Sequence, residues 1–136
     1  MRQAAVVPSE GISILVVDDD AAVADATAML LGSLGYRPIV AKNTEQAVRG
    51  IAECREPPSL MICDYRLGAD ENGVDAICDI RECAGMQLPA ILIGGDTFSA
   101  IADPLSGIED CRLLDKPVNV DDLLELIEHA TRANIH

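Results

Sequence analysis

The sequence contains no tryptophan, one phenylalanine and two tyrosines. The aromatic platforms on which single-stranded bases stack are therefore missing, and the core has to be aliphatic. Basic residues are scarce as well. Ten Lys and Arg stand against 23 Asp and Glu, for a formal net charge of −13. That sign repels a phosphate backbone and an anionic headgroup layer, so direct nucleic-acid binding and adhesion to an acidic membrane are excluded. A divalent cation or a basic partner patch is its natural complement. No apolar run approaches the roughly eighteen residues of a spanning helix, so no membrane insertion is expected. The opening stretch Met1–Val7 is too short an apolar run for a signal peptide. Five cysteines are present, Cys54, Cys63, Cys78, Cys83 and Cys111, an odd count with no C-x-x-C pair. A metal finger and a disulfide framework are both disfavoured, and a reducing, cytoplasmic compartment with thiols as core fillers is expected.

What is present is a chain of 136 residues, 49% hydrophobic, long enough for one domain and too short for two. Residues 1–10 read as a flexible arm, 11–133 as the domain and 134–136 as a tail. Ile12–Val17, Ser59–Cys63 and Leu88–Ile93 are short, nearly continuous apolar runs, the pattern of strands buried on both faces. Arg37–Ala41 is a further strand, and Pro38 consigns it to a sheet edge. Cys111–Leu114 is a weaker fifth. Between them run helical periodicities: Val23, Leu30, Leu31 and Leu34, closed by Gly35; a helix opened by Asn43 and Gln46 as a capping box; Val74, Ile77 and Cys78; and a last helix with Leu123, Leu124, Ile127 and Ala130, capped by Asn119. The stretch Thr97–Asp110, with Pro104 and Gly107, admits a fourth helix of about two turns at most. Strands alternating with helices give an α/β fold, a flavodoxin-like (βα)5 with a five-stranded parallel sheet in the order 2-1-3-4-5.

Ligands of such sheets bind beyond the carboxyl ends of the strands. Those ends carry Asp18, Asp19 and Asp20, then Asp64, Gly94 and Lys116. Four carboxylates and one lysine would converge there. Like charges at close quarters raise one another's pKa, and a hard cation such as Mg²⁺, with oxygen ligands and retained waters, relieves the conflict. An aspartate beside that cation can attack phosphorus, and Lys116 can supply a fixed positive charge.

The runs Ile14-Leu15-Val16-Val17-Asp18-Asp19-Asp20, Met61-Ile62-Cys63-Asp64-Tyr65-Arg66-Leu67 with Asn72-Gly73, Leu88-Pro89-Ala90-Ile91-Leu92-Ile93-Gly94-Gly95-Asp96-Thr97 and Leu113-Leu114-Asp115-Lys116-Pro117-Val118 together resemble the response-regulator receiver domain of bacterial two-component signalling. The resemblance covers residues 11 to 133. The third and fourth strands are most similar to receivers fused to hybrid histidine kinases. The resemblance implies that Asp64 accepts a phosphoryl group from a phosphohistidine on a histidine kinase or histidine phosphotransfer protein. It implies Mg²⁺ (or Mn²⁺) held by Asp19, Asp18, Asp64 and the backbone carbonyl of Arg66, with Lys116 on the phosphoryl group. It implies no enzymatic turnover beyond self-catalysed phosphotransfer and dephosphorylation. A homodimer through the fourth helix, fifth strand and last helix also belongs to it. The chain ends after the last helix, which suits a stand-alone receiver or a piece of a hybrid kinase.

Two positions depart from the family. Receivers carry Thr or Ser at the end of strand 4, where this sequence has Gly94 followed by Gly95. They carry Tyr or Phe three residues before the lysine, where this sequence has Leu113. Loss of the hydroxyl removes a charge-assisted hydrogen bond worth roughly 1.5–3 kcal/mol. An atypical output is therefore expected, and a receiver-fold adaptor independent of phosphorylation is the alternative. A haloacid-dehalogenase-like phosphatase is a further reading, in which Asp18 and Asp20 fit D-x-D-x-[TV] but Ala22 does not. Arg66 and Asp96 flank the site, where a salt bridge would hinder water. His129 has no partner at metal-ligand spacing.

Overall fold

The computed structural model describes residues 12–54, 56–68, 71–95, 110–116 and 118–133. Five parallel strands, β1 (Ser13–Val17), β2 (Arg37–Ala41), β3 (Leu60–Asp64), β4 (Ala90–Gly94) and β5 (Cys111–Asp115), form one sheet in the order β2-β1-β3-β4-β5. The described helices are α1 (Ala21–Ser33), α2 (Thr44–Ala52), α3 (Gly73–Ala84) and α4 (Val120–Ala133). This is the expected flavodoxin-like arrangement. The expected short helix between β4 and β5 falls in 96–109, outside the described residues.

Two cores sandwich the sheet, and strand alternation sorts residues between them. Leu15, Val17, Met61, Cys63 and Leu92 face α2 and α3, where Ala47, Ile51, Ala76, Ile77 and Ile80 cover them. Ile14, Val16, Leu60, Ile62 and Ile91 face the other way, against Ala24 and Leu31 of α1 and Leu123 and Ile127 of α4. β2 lies at an edge, where the missing N–H of Pro38 leaves no ladder bond unmade.

Helix starts follow the capping chemistry. Asp20, Asn43 and Asn72 precede α1, α2 and α3, each with a side chain that accepts from backbone N–H groups of the first turn. Asn119 does the same for α4 by accepting from the Asp122 N–H at 3.0 Å. In the expected box at α2, Asn43 accepts from the Gln46 N–H, while Gln46 reaches back to the Lys42 N–H, one residue earlier than the standard partner.

Three expectations need correction. On α1 the buried residues are Ala24 and Leu31, whereas Val23 and Leu34 are exposed. The many alanines of that helix blur its periodicity, so no single stripe stands out. On α3 the buried stripe is Gly73, Ala76, Ile77 and Ile80, and Cys78 is exposed. Of the thiols only Cys63 is buried; Cys54 and Cys111 are intermediate, and Cys83 is exposed with Cys78.

Candidate functional site

The sheet register brings the acidic residues together. Val17 pairs with Cys63, so Asp18 and Asp64 emerge side by side from adjacent strands. Backbone bonds prolong the edge past the strands. Asp18 N–H donates to the Ala41 carbonyl (3.0 Å), Tyr65 N–H to Ile93 (2.7 Å) and Lys116 N–H to Gly94 (2.7 Å). Carboxylate oxygens of Asp18, Asp19 and Asp64 lie within 4.8 Å of one another. Lys116 Nζ donates to Asp64 Oδ2 at 3.3 Å. Asp18 and Asp64 are buried, each 7% exposed, whereas Asp19 faces solvent. A cavity of about 70 Å³ opens at Asp18, Asp64 and Lys116, with Val23, Thr27 and Val118 in its wall.

Asp20 does not join the cluster. Its Oδ1 accepts from the Ala22 and Val23 N–H groups at 3.0 and 3.3 Å, which makes it the cap of α1. The four expected carboxylates are therefore three. The turn is locked by Asp18, whose Oδ1 accepts from the Asp20 N–H at 2.9 Å. Burial pushes the Asp18 carboxyl above its ordinary pKa, the Asp20 amide pulls it back, and the Asp64 charge pushes it up again. Lys116 opposes that push only in part. Oxygen donors packed this closely, with a net negative excess over one lysine, suit a hard divalent cation. Burial likewise raises the Cys63 thiol beneath the site, so it stays protonated as a filler of the core.

The loop after β3 is closed at its base. Gly73 N–H donates to the Tyr65 carbonyl at 2.6 Å, and Arg66 and Asn72 form an antiparallel bridge. Gly73 has to be glycine, because a Cβ there would meet the Asp64 carbonyl oxygen at 2.7 Å, Tyr65 Cα at 3.0 Å and the Leu92 side chain. The Arg66 side chain is exposed. Asp96, its expected partner, lies outside the described residues, as does Thr97. Gly94 is buried, Gly95 is half-buried, and Leu113 is 42% exposed on β5. His129 is exposed on α4.

Sequence reasoning missed Glu71 and Thr44. Glu71 Oε1 accepts from both the Thr44 N–H (3.1 Å) and its hydroxyl (2.9 Å) across 27 residues. No local pattern announces a contact between two isolated polar residues that far apart.

The response regulator receiver domain family model matches residues 14–128. The chain belongs to this family. Receivers are signalling domains of two-component response regulators that interact with histidine kinases or phosphotransfer proteins. This receiver is 29% identical over 119 residues to a putative NtrX-like response regulator of Rickettsia bellii, covering 88% of this chain and 24% of that protein. It is 32% identical over 129 residues to the transcriptional regulatory protein AruR of Pseudomonas aeruginosa, covering 90% of this chain and 50% of that one. A response regulator receiver protein from Pseudomonas putida has a crystal structure that superposes with a TM-score of 0.74 at 34% identity, over 87% of this chain and 96% of that one. The receiver thus spans between about a quarter and about half the length of these two curated relatives. Among the described residues no helix is long and apolar enough to cross a membrane.

Proposed function

We propose that this receiver takes a phosphoryl group onto Asp64 from a phosphohistidine of a histidine kinase or histidine phosphotransfer protein. The observation that carries the reading is the pairing of buried Asp64 with Lys116 at 3.3 Å inside a three-carboxylate cluster. A carboxylate oxygen of Asp64 attacks phosphorus, an O–P bond forms and the P–N bond to imidazole breaks. The bonding pair stays on the ring nitrogen, which then takes a proton from water. Lys116 follows the phosphoryl oxygens as charge gathers there.

Asp18, Asp19 and Asp64, with the Arg66 backbone carbonyl, would hold Mg²⁺ or Mn²⁺. When bound, that cation offsets the repulsion among the carboxylates and polarises the phosphoryl oxygens. Hydrolysis of the acyl phosphate by the same site returns the resting state, so the chemistry is a cycle of signalling rather than turnover of a substrate. Residues 11–133 make up the working domain, and its cell compartment is the cytoplasm.

Output is atypical in this reading. Gly94 offers no hydroxyl to the phosphoryl group, and Leu113 replaces the aromatic ring that receivers place on β5. These two positions also support the second reading, an adaptor that works without phosphate.

Intact-mass spectrometry after incubation with acetyl phosphate and Mg²⁺ decides between them. A single Mg²⁺-dependent phosphoryl adduct on the wild type, absent from Asp64→Asn, is the expected result. If no adduct forms with acetyl phosphate, nor with phosphohistidine donors, the phosphoacceptor reading fails and the adaptor stands.

A further inference from the structure

The loop that follows Asp64 is tied to a helix that contributes no residue to the acidic cluster. Its stem is the bridge between Arg66 and Asn72, and Leu67, only 4% exposed, anchors it to the core. Leu67 N–H donates to the Glu71 carbonyl at 3.3 Å, so residue 71 is bonded directly to the residue that follows Arg66. From there the Glu71 side chain leaves the loop and reaches the first residue of α2, where its Oε1 accepts two hydrogen bonds from Thr44.

Those bonds fill a gap that α2 cannot fill alone. The first N–H groups of a helix have no partner within it. Asn43 satisfies the Gln46 N–H. The Thr44 N–H points out of the helix and is met only by a group from outside, here a carboxylate at the positive end of the helix dipole. Both partners are partly buried, which makes an unmade bond there costlier than one at an open surface.

We propose that Glu71 is a positioning residue that sets the Arg66 carbonyl for the cation, and that through Thr44 it couples occupancy of the site to the N-terminal turn of α2. The inference rests on the phosphoacceptor reading, because it takes the Arg66 carbonyl to be a ligand. Coupling of this kind is reciprocal: whatever the α2 turn does to cation affinity, the cation does to the α2 turn. A route from the site to a surface then exists that needs neither a hydroxyl at Gly94 nor a ring at Leu113.

The test is a calorimetric titration of Mg²⁺ into the metal-free full chain, run beside thermal unfolding without Mg²⁺. Glu71→Ala is expected to weaken Mg²⁺ binding by about three- to tenfold, a fraction of what its two charge-assisted hydrogen bonds are worth, because the remainder is lost from the stability of the fold. Glu71→Gln, which still accepts, recovers most of that loss. Thr44→Val, which keeps the amide and removes the hydroxyl, falls between. Asn43→Ala is the control, since it damages the α2 cap without touching the loop, and its Mg²⁺ affinity stays within about twofold of wild type. Unchanged Mg²⁺ affinity in both Glu71→Ala and Thr44→Val overturns the inference. So does an Asn43→Ala loss as large as that of Glu71→Ala, which would mean general damage to α2. If Glu71→Ala does not fold, Glu71→Gln and Thr44→Val carry the decision. A wild type that takes up no Mg²⁺ overturns the cation-dependent reading itself, and the inference with it; Mg²⁺ uptake indifferent to Glu71 overturns the inference alone.

Discussion

The β3 end and the β4–β5 ends of the sheet share one edge but are wired differently. After β3, the chain turns through a bridge, a glycine packed against backbone, and a glutamate that crosses to α2. At β4 and β5, the Gly94 carbonyl accepts the Lys116 N–H, and Leu113 on β5 is exposed. Backbone bonds suffice to hold a lysine in place. They do not supply a polar side chain that could move with a ligand. The chemistry of the site and the means of reporting it are therefore separable, and among the described residues Glu71, on the β3 side, provides a side-chain link from the loops around the site to a helix outside the acidic cluster.

The comparison breaks most severely at Gly73. Gly73→Ala forces a methyl group into the Asp64 carbonyl and Leu92, and overpacking of this kind costs on the order of 3 kcal/mol. Denaturant unfolding checks it, and a loss under about 1 kcal/mol would show that the loop yields more easily than its geometry implies.

Asp18→Asn should act in the opposite direction on the metal-free protein. Burial and the neighbouring acids raise the Asp18 pKa in the fold, so the native state binds its proton more tightly than the unfolded chain does. Stability contributed by Asp18 is then highest at low pH and falls as pH rises through the unfolded and then the folded pKa. The Asn variant escapes that fall while keeping the acceptor for the Asp20 N–H. At neutral pH it should be more stable by about 1 kcal/mol, with the difference vanishing in acid. Its Mg²⁺ response should be lost. A variant less stable than wild type at pH 7 would contradict the picture of a strained acid cluster.

A last effect, no larger than that at Asp18, tests the β5 side. Asp110 enters β5 with φ 54°, the left-handed region that L side chains rarely adopt, while its carbonyl takes the Ala90 N–H and Arg81 Nη2. Its carboxylate also accepts from Gln87 Nε2 at 3.0 Å. Asp110→Ala should cost about 1 kcal/mol and Asp110→Gly less than half of that, because glycine tolerates the backbone. Equal losses in thermal melts would assign the whole effect to the Gln87 bond instead.

Much of this was legible in the residues. The apolar runs at 14–17, 60–63 and 90–93 specify strands buried on both faces, and Pro38 agrees with an edge strand, while the full strand order came from the flavodoxin-like arrangement that a chain of this length and alternation suits. Asp18, Asp64 and Lys116 were found because a strand end is a fixed place in such a fold. Asp20 was misplaced because three consecutive aspartates look alike until the turn into α1 assigns one to the cap and another to the turn. The exposed Val23, Leu34 and Cys78 show the limit of periodicity on alanine-rich or short helices, where several faces are equally apolar. The link from Glu71 to Thr44 left no trace, since it depends on α2 and α3 lying side by side.

Backbone amide hydrogen exchange, followed on the full chain with and without Mg²⁺ and a phosphoryl donor, tests most directly where occupancy of the site is felt. Slower exchange at Thr44, Leu67, Glu71 and Asn72, larger than any change along β5 and lost in Glu71→Ala, is the result the account predicts. A response confined to β5 and α4, with α2 unmoved, would contradict it.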